Sequence, residues 1–401
     1  MTPRQRLLAA LQREVLPDRV PISPDVSNMM PVRYTGKPPW EVYVNENPPM
    51  WRAHLELQRR FGYDMMIAIG LGAGPDDPPS EKRIIARSEE AWVVEEVIRT
   101  HRGDLSVRTV YPRGCSPWVV KPLVTDPESE VEALMVTLTD PWQKDVSQAR
   151  TVQEAVGEGG IVYSGCAVPL AWWLYQRRQL DQGVLDFYDR SALVGKALAA
   201  YSEWALEMLR ATCELLRPDV LMFGGSVASM SVVSPALYRR YALPFLCKAV
   251  EIARSYGVFT AVHICGRCRD ALPMLAEAGV DMVEPLEAPP GGDVTLADVK
   301  REYGHRFCLK GNVNTFQTLA RGTPEDVMAE AKRCIADAAA GGGFILSTGD
   351  QVPGDTPEEN FVALIEAGLR YGVYGRAEHT AQCEPISTSR LHRDDMSTIS
   401  H

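Results

Sequence analysis

His263 and Cys265 stand on either side of Ile264 in the run VFTAVHICG, and they offer an imidazole nitrogen and a sulfur to one place. If strand geometry continues through them, both side chains leave the same face. Zinc, a borderline-soft divalent ion, accepts both donors. The alternative for such an HxC pair is a buried thiol beside a histidine satisfied by a backbone carbonyl. Carboxylates at neighbouring run ends favour the metal reading. Glu284 closes the apolar run DMVE, and Asp350 follows FILSTG. The expected ligand set is therefore His263, Cys265, Glu284 and Asp350, although Asp350 also suits a turn or helix cap before VPGDTP. Asp25 and Asn312, at the ends of other apolar runs, and Gln351, next to Asp350, are the expected substrate-binding groups; Asp25 and Asn312 equally suit loop hydrogen bonds. No catalytic residue beyond the ligands is expected. Cys308 lies inside an apolar run and reads as core. Cys268 forms CxxC with Cys265 but falls in an expected helix, facing away.

Those groups meet only if the chain brings strand ends together. From about residue 161, short apolar runs alternate with longer helical stretches. The runs are IVYSG and residues 219–223, 258–263, 281–284, 306–310 and 344–347. The helices are expected at 235–256, 267–278, 296–303, 324–340 and 357–371. This alternation describes parallel βαβ units. At least six such strands favour an α/β fold of the closed (β/α)8 TIM-barrel type, with function at the C-terminal strand ends. No GxGxxG opens a helix after a strand, which argues against an open dinucleotide-binding sheet. Ahead of this region, residues 20–25 read as a first strand, 51–61 as a helix and 64–69 as a short strand. Residues 92–100 and 105–111 read as a hairpin about Gly103. One domain is expected over residues 1–376, with an N-terminal helical and hairpin extension (about residues 1–60), then a polar, flexible tail over 377–401.

Composition narrows the partners. With 401 residues, 45% of them hydrophobic, the chain can build one large core. Its net charge of −10 repels nucleic acid and anionic membrane, and neither is an expected partner. The start, MTPRQRLLAALQRE, reads as an amphipathic helix without the apolar segment of a signal peptide. No stretch approaches the roughly 20 apolar residues of a membrane span. Nine scattered cysteines do not form a disulfide framework, so a cytoplasmic location is expected.

Between about residues 163 and 374 the ordered segments RPDVLMFGG, SPALYRRYALPFLCKAVEIARSYGV, HICG, LAEAGVDMVEPLE, LADVKREYG, LKGNVNT and GGGFILSTGDQVPGDTPEEN resemble the uroporphyrinogen decarboxylase superfamily. RTHRGDLSVR and SEVEALMV agree more loosely. True decarboxylases of that superfamily carry an arginine-rich segment for a polycarboxylate substrate. The corresponding VPISPDVSNMMPVRYTG has one arginine, and many carboxylates need paired cations. The chain instead resembles the zinc-dependent, corrinoid-linked methyltransferase branch, whose HxC is matched by His263 and Cys265. Asp350 stands where that branch has a third cysteine. Glu284 resembles the glutamate ligand of related zinc-containing methionine synthases. The segment GGSVASM lacks the family's usual aspartates, which implies a different substrate.

What the resemblance implies is zinc acting as a Lewis acid. It also implies methyl transfer between a small-molecule methyl donor or acceptor and the cobalt of a corrinoid (cobalamin). With no DxHxxG segment, the corrinoid is expected on a separate corrinoid protein. Exchanging a thiolate for a carboxylate hardens the site and favours oxygen ligands. The leading expectation is therefore O-demethylation of a methyl ether such as a methoxylated aromatic. Trp172, Trp173, Met29 and Met30 are expected in the core, with a pocket or partner role as the alternative. A homodimer is possible by analogy. Metal-free decarboxylation and a non-catalytic binding homologue are the competing readings.

Overall fold

The computed structural model describes residues 1–375; the expected tail lies outside the described residues. Strand β1 (Met65–Ala68) joins β6 (Gly160–Ala167), β7 (Val220–Gly224), β8 (Phe259–His263), β9 (Met282–Glu284), β10 (Cys308–Val313) and β11 (Phe344–Thr348) in one curled parallel sheet, in that order. Between β1 and β6, β2 (Ser80–Arg87), β3 (Ala91–Ile98), β4 (Leu105–Pro112) and β5 (Trp118–Lys121) form a separate antiparallel sheet. The expected hairpin is its centre. Its outer strands were not anticipated, because β2 is almost wholly exposed and shows no apolar alternation. Stacking of Trp40 on Trp92, centroids 5.6 Å apart, ties this sheet to the helical turn Pro39–Tyr43.

Residues 20–25, expected as a first strand, form only a parallel bridge between Ile22 and Leu346. Ser23 N–H donates to the Leu346 carbonyl at 2.8 Å, and Leu346 N–H to that of Pro21 at 2.9 Å. On the other side, Asp64 N–H donates to the Ile22 carbonyl at 2.7 Å. Pro21 and Pro24 lack an N–H and interrupt any longer ladder. The large sheet accordingly has seven strands where eight were expected. Asp64 anchors this seam. Its buried carboxylate accepts from Arg6 at 2.6 Å, from Arg19 at 2.8 Å and from Ile22 N–H at 2.8 Å.

Strand periodicity separates two cores. Val162, Leu221, Val262, Val283, Leu309 and Leu346 face the surrounding helices. Ile161, Val220, Ala261, Met282, Cys308 and Ile345 face inward, and Leu7, Ala10 and Leu11 of the helix Pro3–Gln12 pack against them as a plug. Cys308 is core, as expected, and so are Trp172, Trp173 and Met30.

Two helices differ from expectation. The 235–256 helix breaks into Pro235–Tyr241 and Leu243–Ser255, because Pro244 has no N–H for the preceding turn. The 267–278 helix begins only at Leu272. Asp293 takes the N–H groups of Cys268 and Arg269 at 2.8 and 3.1 Å, holding them in a loop. Cys268 is therefore a buried loop residue rather than a helical one. Among the described residues no helix is long and apolar enough to cross a membrane.

Candidate metal centre and substrate cavity

Two positions beyond the plugged layer, the inward side chains become Tyr163, Met222, His263, Glu284 and Lys310. All five line one cavity of about 710 Å³. Period-two alternation alone puts them on that face. His263 and Glu284 are register partners on β8 and β9. His263 Nδ1 lies 3.0 Å from Glu284 Oε1, and the other carboxylate oxygen accepts from Lys310 Nζ. Burial would raise the Glu284 pKa. The Lys310 charge and the His263 hydrogen bond outweigh it and hold the carboxyl well below its usual range. Burial likewise works to lower the His263 pKa, but hydrogen bonds to Cys265 and Glu284, with their charges, raise it well above 6.5.

The turn after β8 is clamped from both sides. Ile264 N–H donates to the Glu284 carbonyl at 2.8 Å and its side chain is fully buried, so His263 and Cys265 keep a common face. Gly266 has φ +82°, and a Cβ there would meet Ser231 Oγ at 2.5 Å. Its N–H donates to Glu287 Oε1 at 2.6 Å. Asp350 arrives from the loop after β11, where Gly349 N–H donates to the Val313 carbonyl at 2.7 Å. Burial raises the Asp350 pKa, and the charges of Asp25 and Glu284 push the same way. The His263 charge and the Gln351 N–H oppose them.

One donor atom each from His263, Cys265 and Asp350 lies within 4.8 Å of the other two. Zinc bonds of about 2.0–2.3 Å place tetrahedral ligands roughly 3.3–3.8 Å apart, so a small contraction suffices. A nitrogen, a sulfur and a carboxylate oxygen with a fourth position left over fit a catalytic zinc, and a cation would offset the burial and the neighbouring negative charges that raise the Asp350 pKa.

Glu284, expected as a ligand, does not join this group: its two oxygens are engaged by His263 and Lys310. Asp25 lines the cavity, with its N–H on Thr348 Oγ1 at 3.1 Å and one carboxylate oxygen taken by Ser27. Gln351 is half-buried and donates to Asn28 Oδ1, which also accepts from Ser116 at 3.1 Å. Asn312 is not brought to the cavity. It is 2% exposed, donates to the Leu286 carbonyl at 2.6 Å, and accepts from the Cys334 thiol at 3.5 Å.

Lys310, Tyr163, Glu287 and His54 escaped the sequence reading. Lys310 had a signal, a lone charge in an otherwise apolar strand. His54 had none, being one polar residue on an amphipathic helix.

Residues 104–371 match the model of the family described as Uroporphyrinogen decarboxylase (URO-D). A methylcobamide:CoM methyltransferase of Methanosarcina mazei is 28% identical over 155 residues, 38% of this chain and 42% of that protein. Another, from Methanosarcina barkeri, is 31% identical over 182 residues, 45% of this chain and 50% of its own length. The chain thus spans half or less of the length of these curated relatives. Among solved structures, a methyltransferase from Methanosarcina mazei shares the fold with a TM-score of 0.63, at 21% identity, covering 92% of this chain and 98% of that one.

Proposed function

The chain belongs to the uroporphyrinogen decarboxylase family, and within it we propose a methyltransferase that passes a methyl group from a small methyl ether to the cobalt of a separate corrinoid protein. One observation carries the reading: His263, Cys265 and Asp350 gather beside a ligand-sized cavity in a chain similar to methylcobamide:CoM methyltransferases. We read residues 20–23 as the eighth stave of a (β/α)8 barrel, with His263 and Glu284 closing their strands at its mouth.

Bound there, zinc supplies Lewis acidity toward a substrate heteroatom. Glu284 accepts from His263 Nδ1, which leaves Nε2 as the nitrogen for the ion and fixes the ring. Lys310 keeps Glu284 ionised for that task. Asp350, where the resemblance puts a thiolate, makes the donor set harder and favours an ether oxygen over sulfur. In the transfer the methyl C–O bond breaks, a cobalt–carbon bond forms with the cobalt(I) electron pair, and the aryl oxygen leaves with the bonding electrons. Decarboxylation of a polycarboxylate finds less support. Among the described residues Lys310 is the one lysine or arginine lining the cavity, and Glu284 already pairs with it.

The test is methyl transfer from methoxylated arenes to cob(I)alamin by zinc-loaded protein, followed as methylcobalamin absorbance. Turnover that a chelator abolishes supports the proposal. Methylation of a thiol from methylcobalamin, with no ether turnover, reverses the substrate assignment. Decarboxylation insensitive to chelator replaces it.

A further inference from the structure

We infer that the cavity selects methyl ethers bearing a positive charge, with the Asp25 carboxylate holding an ammonium on the substrate while the ether oxygen lies at the metal centre. This rests on the methyl-ether reading of the same cavity and names the class of ether it takes.

The charge balance of the wall is one-sided. Among the described residues, the acids and bases lining the cavity are Asp25, Glu46, Glu284, Lys310, His54 and His263. Lys310 and His263 both engage Glu284. Burial lowers the His54 pKa and keeps that ring neutral. A zinc ion held by His263, the Cys265 thiolate and the Asp350 carboxylate would be balanced by those two anions. Asp25 and Glu46 are left over, and neither has an ion-pair partner among the described residues. Arg52, exposed on the same helix as Trp51, stacks over that ring and does not line the cavity. A cleft whose wall carries a surplus of one charge concentrates molecules of the opposite charge.

Asp25 is fixed and open at once. Its N–H donates to Thr348 Oγ1 at 3.1 Å, and its Oδ1 accepts the Ser27 N–H at 3.0 Å. Oδ2 accepts no hydrogen bond among the described residues and keeps accessible surface, whereas His54 Nδ1 on the same wall is sealed. Tyr163 Oη is likewise accessible and unpartnered among the described residues, and its oxygen can accept an ammonium N–H. Burial raises the Tyr163 pKa, and the charges of Asp25 and Glu284 push it the same way, so the hydroxyl stays neutral in a negative field. A carboxylate oxygen that has lost part of its hydration to the wall gains most from a cation that also donates hydrogen bonds. Met50, Trp51 and Met222 supply aromatic and thioether surface for a ring between the two ends. The match is a methoxyarene with an ammonium side arm.

Calorimetry on the zinc-loaded full chain, without corrinoid, decides it. The probes are the isomeric methoxyphenethylamines, ammonium ions at neutral pH, with the matching methoxyphenylacetamides and methoxyphenylacetates. The best amine is expected to bind at least about ten-fold tighter than its amide, and the acetate weakest of the three. Added salt shrinks the preference for the amine. In Asp25→Asn, which keeps an acceptor for the Ser27 N–H, the amine falls toward the affinity of the amide. In Glu46→Gln it falls less, because that side chain is exposed to water. A preference unchanged in Asp25→Asn overturns the inference, as does amide or acetate binding to wild type as tightly as the amine. If Asp25→Asn does not fold, Asp25→Ser is the uncharged variant, read in the same way. If the preference holds while no ether passes its methyl group to cob(I)alamin, the methyl-ether reading fails and the Asp25 contact stands. Ether turnover without any charge preference removes this inference alone.

Discussion

His263 Nδ1 meets Glu284 Oε1 at 3.0 Å, and the other oxygen of that carboxylate is held by Lys310. The imidazole is thereby locked with a single nitrogen left for a metal. Carboxylates behind ligating histidines typically change metal affinity about 10–100-fold when removed. Glu284→Gln should weaken zinc binding by that factor without abolishing it, as read by titration against a competing chelator. Unaltered affinity would remove Glu284 from the orienting role.

The three proposed ligands should behave differently from their support. His263→Ala or Cys265→Ala should reduce zinc from about one ion per chain to near none, measured by elemental analysis. Asp350→Cys should retain the ion and move preference from ether to thiol substrates, because thiolate softens the donor set. A cysteine variant that still favours ethers would detach substrate choice from this position.

Lys310 and Glu284 are 7% and 8% exposed at their side chains, a buried pair. Lys310→Met leaves Glu284 with His263 as its remaining partner and should cost up to about 3–5 kcal/mol in urea unfolding. Replacing both with methionine should recover part of that loss, since neither charge is then stranded. A double variant weaker than the single one would contradict this account.

Asp64, fully buried, neutralises Arg6 and Arg19 and caps Ile22 N–H. Asp64→Ala should lower stability by about 3–5 kcal/mol and loosen residues 19–23 first. Hydrogen exchange confined to other segments would show that this seam does not depend on Asp64.

His54 sets a pH dependence whose sign is fixed. Its folded pKa lies below 6.5, so the unfolded chain binds more protons between that depressed value and 6.5. This contribution is complete above about pH 6.5 and is lost as pH falls toward the folded value. The raised pKa of His263 acts oppositely, adding stability at low pH that is lost as pH rises. Comparing wild type with His54→Gln in metal-free protein isolates the first group. The variant should lose less stability between pH 7 and 5, with slopes differing by at most about 1.4 kcal/mol per pH unit. Parallel stability curves would mean that His54 protonates freely when folded.

Local pattern carried much of the architecture. The alternation of apolar runs with helices foretold the parallel strands β6 to β11, and the donor atoms of His263 and Cys265, two residues apart, lie within 4.8 Å of each other. Cys308 was legible as core because it sits in step with Ile161, Val220 and Met282. Pro244, by contrast, was visible in the expected helix 235–256, and its missing N–H broke that helix in two.

By itself, then, the sequence determined which residues point into the sheet's interior and which strand ends carry the candidate ligands, because side-chain direction follows from backbone geometry a few bonds away. Tertiary structure decided what each group meets there. Register between β8, β9 and β10 gave Glu284 to His263 and Lys310, and loop closure turned Asn312 toward Leu286 and Cys334 and brought Asp350 beside Cys265. The packing of a helix some 200 residues earlier set His54 in the same cavity wall as His263. Contacts between segments so far apart depend on how whole elements pack, and no local spacing records that.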